Sequence, residues 1–444
     1  SPSIGIFSYI DVLEDVHYIA QLNSSRFLKT CKAVDPNGEI IIKVFVKPRE
    51  GYSLTSTVET LNNESMLLGQ LPNVLNYSKI IESNRAGYLI RQHLRRNLYD
   101  RLSSRPYLHE IESKFIAFQL LQALNDIHKL NIVHTDIKTE NIMVNSWNWI
   151  ALTDFAAHVK PIYLPEDNPG EFSFYFDTSK RRNCYIAPER FNTQLYNDSE
   201  KRYQPSKEMD IFSAGCCIAE LFSEGIPIFN LSQLFKYKTQ EYNVSEYLNE
   251  HFPQNEQLKE LIMDMIQLDP SKRLSTIQLL AKYRGTFFPD YFYTFTYDYF
   301  RTLASMVTSI PSTGSLTEMC LLEDKQNVYN NSLLKVYNDF GTICTSLDFP
   351  IITDESKLSK KKLQSNVFSS QYIKIGCHIY VQLKSFDSYR NIQPVHEECA
   401  LLFVSYLSRT LRNLTSNSNK IKCLELLAAF SQFISDDNKI DRVI

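Results

Sequence analysis

The 444-residue sequence lacks several things, and each absence narrows what it can be. No apolar run reaches the length of a membrane-spanning helix, and no secretory signal opens the chain. None of the nine cysteines forms a C-x-x-C pair. Their odd number and irregular spacing, with Cys216–Cys217 the only close pair, read as reduced thiols in cytosol. A charge excess is also missing: 47 Lys and Arg against 50 Asp and Glu leave −3, so the molecule as a whole is not a nucleic-acid binder by electrostatics. The stretch Leu22–Thr30 has no glycine at all. What remains is ordinary for a globular chain, with 22% charged and 43% hydrophobic residues and length for two or three domains. The chain opens at Ser1 rather than Met, so its natural N-terminus is expected upstream, where any attached lipid would also lie.

The most informative stretch runs from Asn131 to Phe155. Short apolar runs, Ile132–Val133 and Ile142–Val144, flank a polar loop carrying His134, Asp136, Lys138 and Asn141, and a third run, Ile150–Thr153, delivers Asp154 and Phe155. Two carboxylates, a lysine and an amide on a strand-loop-strand pair suit metal-assisted phosphoryl transfer. Asp136 orients an attacking hydroxyl as base, Lys138 neutralises phosphate charge, and Asn141 and Asp154 offer oxygen to Mg²⁺. The spacing resembles the protein-kinase pair H-R-D-x-K-x-x-N and D-F-G, with Thr135 in place of Arg and Ala156 in place of Gly.

Upstream, Glu39–Phe45 reads as a buried strand containing one lysine, Lys43. A lysine in such a run needs an anion, and the pattern resembles V-A-I-K, whose lysine meets nucleotide phosphates. The segment Leu22, Asn23, Ser24, Ser25, Arg26, Phe27, Leu28, Lys29, Thr30 aligns with the kinase glycine-rich loop, with Asn23, Ser25 and Leu28 where its glycines stand. Loss of glycine removes the easy approach of backbone N–H groups to phosphate, and Leu28 adds bulk there. The stretch Glu59–Gln70 is helix-like, and Glu59 and Glu64 are equal candidates to orient Lys43. Tyr88–Ile90 then leads into Arg91, Gln92 and His93 at the join between lobes, with Arg91 directed at the rear of the nucleotide site, toward a base, a phosphate or an acidic helix residue.

Downstream, Glu110–Asn131 is an amphipathic helix with Ile111, Phe115, Phe118, Leu121 and Leu124 on one stripe. Ala187-Pro188-Glu189 resembles the A-P-E end of an activation segment, with Arg273 the expected partner of Glu189, and Asp210 resembles the aspartate that braces the catalytic loop. The aromatic run Phe287–Phe300 reads as the last packed piece of this domain. Ser305–Asn331 and Thr353–Asn366 are polar and read as loops or linkers, with Lys360–Lys362 solvated. Glu397–Leu414 and Lys420–Ser435 read as a helix hairpin of the HEAT or armadillo kind, which needs stacked neighbours, so the natural protein is expected to continue.

The wording D-I-K-T-E-N, T-D-F-A, Y-I-A-P-E-R-F and F-F-P-D-Y-F-Y-T-F, followed by helical segments, resembles the protein-kinase-like regulatory subunit family of the class III phosphatidylinositol 3-kinase, fungal vacuolar protein sorting form. The resemblance implies an α+β, two-lobed protein-kinase fold over residues 1–300 (N-lobe about 1–92, C-lobe about 93–300), an irregular segment with some helix over 301–390 and the start of an α-solenoid over 391–444. It implies ATP or GTP with Mg²⁺ or Mn²⁺. As partners it implies the lipid kinase catalytic subunit and its adaptors. It further implies peripheral attachment, through an upstream N-terminal lipid, to the cytoplasmic face of endosomal, vacuolar and autophagic membranes. Three functions compete: a scaffold that regulates a lipid kinase with nucleotide as ligand and slow Ser/Thr kinase activity, a fully active Ser/Thr kinase, and a pseudokinase with an empty cleft. The retained Lys43, Asp136, Asn141 and Asp154 weigh against the third, and the glycine-free loop weighs against the second.

Overall fold

The computed structural model describes residues 5–22, 25–49, 51–177, 183–198, 200–308, 318–352, 356, 372–376, 379–382, 394–435 and 439. The chain divides into two compact units, the first made of Ser1–Leu108, Ile116–Asn145 and Ile150–Phe288, the second of His109–Phe115, Ser146–Trp149 and Pro289–Ile444. Among the described residues no helix is long and apolar enough to cross a membrane.

The first unit opens with β1 (His17–Gln21), β2 (Lys29–Asp35) and β3 (Gly38–Val46), then the helix Thr55–Leu68, β4 (Val74–Leu75), β5 (Lys79–Glu82) and β6 (Ala86–Gln92). Five of these strands form an antiparallel sheet in the order β1-β2-β3-β6-β5. The β2–β3 turn is closed by Asp35, whose side chain accepts from Asn37 N at 2.8 Å, and by Gly38 at φ 125°, a conformation that favours glycine. Side chains alternate along a strand. Ile40, Ile42, Val44, Tyr88 and Ile90 therefore fill one face with Cys31 and Ala33, each large aliphatic contributing roughly 1.5–3 kcal/mol by its burial. The register Ile41↔Arg91 and Lys43↔Leu89 puts Lys43 and Arg91 on the other face as diagonal neighbours. The helix Thr55–Leu68 packs Leu61 with Tyr77, Ile80 and Leu89.

The helical part of this unit holds β7 (Ile142–Val144) and β8 (Ile150–Thr153), antiparallel to each other, with β4 parallel to β8. The helix Glu110–Lys129 begins in the second unit and belongs to this one from Ile116; its stripe Ile111, Phe115, Phe118, Leu121 and Leu124 is buried, as its spacing requires. The helix Lys207–Phe222 is buried over almost its whole length, Asp210 and Glu220 included. A Cβ on its Gly215 would lie 2.8 Å from Met265 Cβ, so glycine sets the close approach of the helix Glu256–Met265. Glu189 and Arg273 form a bidentate pair at 2.7 and 2.8 Å, the Arg273 side chain fully buried.

The second unit corrects two sequence expectations. The run to Phe300 belongs here rather than to the first unit, which ends at Phe288. Its rings explain why: Phe292 and Phe300 pack tilted against Phe115 at 5.1 and 5.6 Å, and Tyr297 stacks on Trp149 at 5.5 Å. The polar stretch read as a loop is largely helical where described, residues 305–308 ending the helix Tyr297–Thr308 and Glu318–Asn331 opening the long helix Glu318–Ser346. Leu333, Val336, Phe340 and Ile343 anchor the far half of that helix in the core. Once nucleated there, a helix extends at little cost into polar sequence. Strands β9 (Ile351–Ile352), β10 (Tyr372–Ile375) and β11 (Ile379–Gln382) form a small antiparallel sheet, whereas Lys360–Lys362 lie outside the described residues. The expected hairpin is present as the helices Pro394–Leu411 and Asn417–Ser431, with Phe403 stacked on Phe430 at 4.8 Å. It is one hairpin against one long helix, which by itself is not a repeat array.

Candidate active site

The loop before β7 is held in a strained shape by groups remote in sequence. Thr135, a β-branched residue, sits at φ 68°, and Asp154 at φ 66°, values that L-residues seldom take without support. Asp210, wholly buried, provides part of it by accepting from His134 N and Thr135 N at 2.8 Å each and from His128 Nε2 at 3.1 Å. Arg190, 1% exposed, provides the rest. Its guanidinium donates to Thr135 O and Ile162 O at 2.6 Å, joining the loop to the segment that follows Asp154. His134 donates Nε2–H to Thr153 O at 2.8 Å and accepts from Asp136 N at 3.2 Å through Nδ1, which suits a neutral ring; burial lowers its pKa.

The loop and the sheet face together line a cleft with a cavity volume of about 380 Å³. Lys43, Asp136, Lys138, Asn141 and Asp154 all meet there. Lys43 Nζ lies 2.8 Å from Asp154 Oδ2, and Arg91 grips the same carboxylate through Nε at 2.8 Å and Nη2 at 3.3 Å. Burial alone would raise the Asp154 pKa, but Arg91 and then Lys43 hold it far below the usual carboxylate range. Asp136 is held the same way: burial opposes its charge, Lys138 at 3.9 Å and Lys160 at 2.6 Å outweigh burial, and its pKa is lowered. Lys160 is brought down to about 8, because its burial outweighs the attraction of Asp136. Asn141 donates Nδ2–H to Asp136 O at 2.8 Å, leaving its amide oxygen as the donor for a cation. Asn141 and Asp154 are thus oxygen donors of the kind a hard dication takes, with nucleotide phosphates as the other ligands.

Other expected contacts are corrected. Neither Glu59 nor Glu64 meets Lys43: Glu59 is exposed, and Glu64 pairs with His158 at 2.6 Å. Asp154 takes the lysine instead, being the buried carboxylate within reach. Of the segment aligned with the glycine-rich loop, Leu22, Ser25, Leu28 and Thr30 line the cleft, and Asn23 and Ser24 lie outside the described residues. Phe27 packs instead on Phe45, Phe174 and Tyr175, Arg26 sits 5.8 Å over Phe174, and Lys29 is exposed beside Thr30, as strand alternation requires. Gln92, next to Arg91, is exposed for the same reason. His93 turns outward to Glu39, 2.9 Å from its carboxylate, and its backbone N–H is spent on Glu39 O at 2.9 Å. Arg91 meets neither of the helix glutamates but Asp154.

Sequence reasoning missed Lys160, Arg190 and Phe176. Lys160 stands six residues after Asp154 with no motif around it, and its role arises only when the segment turns back onto Asp136. That segment continues into the helix Pro169–Tyr175, and Lys138 Nζ donates to Phe176 O at 3.0 Å. Phe27 N donates to Phe174 O at 3.2 Å, so the segment also touches the strand hairpin above.

The Glu64–His158 pair carries a pH prediction. The hydrogen bond that His158 donates to the Glu64 carboxylate outweighs burial and raises the His158 pKa above the ordinary value of about 6.5. Stability from the pair is therefore full below about pH 6.5 and is lost as pH rises through the raised value. Hydrogen exchange of the helix Thr55–Leu68 is expected to quicken, beyond the intrinsic base-catalysed rise, between pH 6 and pH 9 in the parent and not in His158→Gln. Equal pH dependence in both would refute the link.

The protein kinase domain family model matches residues 25–283. The chain is 60% identical to "Serine/threonine-protein kinase VPS15" of Saccharomyces cerevisiae over its full length, 34% identical to "Serine/threonine-protein kinase vps15" of Schizosaccharomyces pombe over 97% of it, and 32% identical to the Arabidopsis thaliana protein of the same description over 98%. It spans 31%, 27% and 31% of those relatives' own lengths. With more than half of its residues under the family model, and with a lysine, two aspartates and an asparagine gathered in one cleft between sheet and helices, the chain belongs to the protein kinase family.

Proposed function

We propose that this chain is the nucleotide-binding, Ser/Thr-kinase portion of a VPS15-type protein whose main task is to hold and regulate a class III phosphatidylinositol 3-kinase at vacuolar, endosomal and autophagic membranes. Membership of the kinase family implies ATP with a divalent metal, which when bound would neutralise charge that develops on the transferred group. The chain's own residues divide the remaining work. Asp136 accepts the hydrogen bond of the attacking hydroxyl, Lys43 and Lys138 meet phosphate oxygens, and Asn141 and Asp154 hold the cation. GTP in place of ATP, and manganese in place of magnesium, are alternatives within the same reading.

The observation that carries the regulatory emphasis is the state of the base. Asp136 is paired with Lys160 at 2.6 Å, and Phe176 of the following segment is tied to Lys138. Lys138 and Lys160 hold the Asp136 pKa down and so make it a weaker base for turnover, whereas nucleotide binding needs no base. The test uses Lys43→Ala and Asp136→Asn in the reconstituted assembly, read by phosphatidylinositol 3-phosphate production. Regulation through occupancy predicts that Lys43→Ala disturbs lipid kinase output and that Asp136→Asn, still binding nucleotide, disturbs it less, because a ligand biases partner contact only through its differential affinity. Equal damage from both variants with nucleotide still bound would make turnover the requirement.

Phosphorylation of the segment after Asp154 is expected to leave the transfer rate unchanged. Thr135 stands where an arginine could receive such a phosphate, and nearby Arg190 is buried with its donors on backbone carbonyls. A tenfold gain in rate, about 1.4 kcal/mol, on quantitative phosphorylation of that segment would overturn this.

A further inference from the structure

Asp154, the carboxylate assigned to a metal ion, is already matched twice in this cleft. Arg91 forms a fork on it, Nε to Oδ1 at 2.8 Å and Nη2 to Oδ2 at 3.3 Å, while Lys43 Nζ holds Oδ2 at 2.8 Å. Each carboxylate oxygen accepts about two hydrogen bonds. Oδ2 is therefore filled and Oδ1 half filled, so Asp154 cannot chelate a dication through both oxygens while Arg91 stays. Arg91 and Asp154 are each only 7% exposed, and Lys138 and Lys160 line the same cleft with Asp136. Among these buried groups four cations face two carboxylates, and buried charge left uncompensated is costly. Two further acids, the exposed Asp100 and the half-buried Glu140, stand at the margin of the cleft.

We propose that Arg91, acting with Lys43, takes the place of a divalent cation in neutralising phosphate, so that a nucleoside triphosphate binds this cleft without metal. The proposal rests on reading the cleft as a nucleotide site. Beyond its bonds to Asp154 and to Gln92 O, Arg91 keeps one N–H on each terminal nitrogen, and Lys43 keeps two, so both can meet phosphate oxygens while Asp154 stays bound. The sheet register supplies the placement, since Arg91 and Lys43 are diagonal neighbours on the face that forms the cleft wall. Binding and transfer then separate: metal serves the transfer step, while affinity comes from the chain's own cations.

The experiment titrates ATP into the full chain in magnesium and in EDTA, by calorimetry and by melting shift. In the parent the two dissociation constants are expected to agree within about threefold, less than 1 kcal/mol. Arg91→Leu is expected to weaken binding about tenfold or more in EDTA and to recover most of it in magnesium. Asp154→Asn, which releases both cations to face phosphate, is expected to bind as well as the parent or better in EDTA; a metal-bridged site predicts weaker binding of that variant in magnesium and no binding in EDTA. Should Arg91→Leu fail to fold, the parent and Asp154→Asn titrations decide alone. Parent binding that collapses in EDTA, or an Arg91→Leu loss equal in both buffers, overturns the proposal. Absence of binding in both buffers would instead sink the nucleotide reading itself.

Discussion

Asp136→Asn is expected to lower phosphoryl transfer by roughly 10²–10⁴-fold, the range for loss of a positioned general base. The substitution keeps the shape of a side chain that is 7% exposed, and it removes an anion from a cleft already rich in cations. Nucleotide binding should therefore survive or tighten. Ligand at about 100 times its dissociation constant adds roughly 2.7 kcal/mol, readable as a rise in melting temperature in both proteins. Transfer at the parent rate in this variant would show that the signal came from a contaminating kinase. Loss of the melting shift along with transfer would mean that Asp136 supports the fold of the cleft rather than the chemistry.

Asp210→Ala is expected to be the most damaging single change to stability. It strands the backbone N–H groups of His134 and Thr135 and the ring of His128, all buried, and removes the acceptor that holds Thr135 at φ 68°. Breaking one side of a buried charged network costs about 3–5 kcal/mol. For a unit of this size that corresponds to a fall in its melting temperature on the order of 10 °C. Arg190 also grips Thr135, through its carbonyl, so the loop loses one of two supports and activity should fall further than stability alone explains. A fall of under about 2 °C would show that Arg190 suffices, given that about 1 kcal/mol moves such a unit by 2–4 °C.

Much of this site could be read directly from residue order. His134, Asp136, Lys138, Asn141 and Asp154 lie within one strand-loop-strand stretch, where short spacing and the alternation of strand residues constrain which side chains can converge. The apolar stripe of Glu110–Lys129 was legible for the same reason, as local periodicity acts over a few residues. Polar sequence misled at Glu318–Asn331, because helix there depends on the anchored residues that follow it.

Within the cleft, unlike the Glu189–Arg273 pair that the sequence pointed to, charge pairing was decided by tertiary structure. Lys43 lacks a helix glutamate because Asp154 is nearer and Glu64 is taken by His158. Arg91 and Asp154 are 63 residues apart, and Lys160 and Asp136 are 24 apart. No local rule links such residues. The end of β8, in a different sheet from Arg91, delivers Asp154 to the first pair, and the return of the segment after Asp154 sets the second. Sequence by itself pointed to Lys43, Arg91, Asp136, Lys138, Asn141 and Asp154 in the cleft but not to Lys160. Only the folded chain decided which carboxylates are already neutralised, because a buried charge takes the nearest opposite charge, and nearness there is a property of packing.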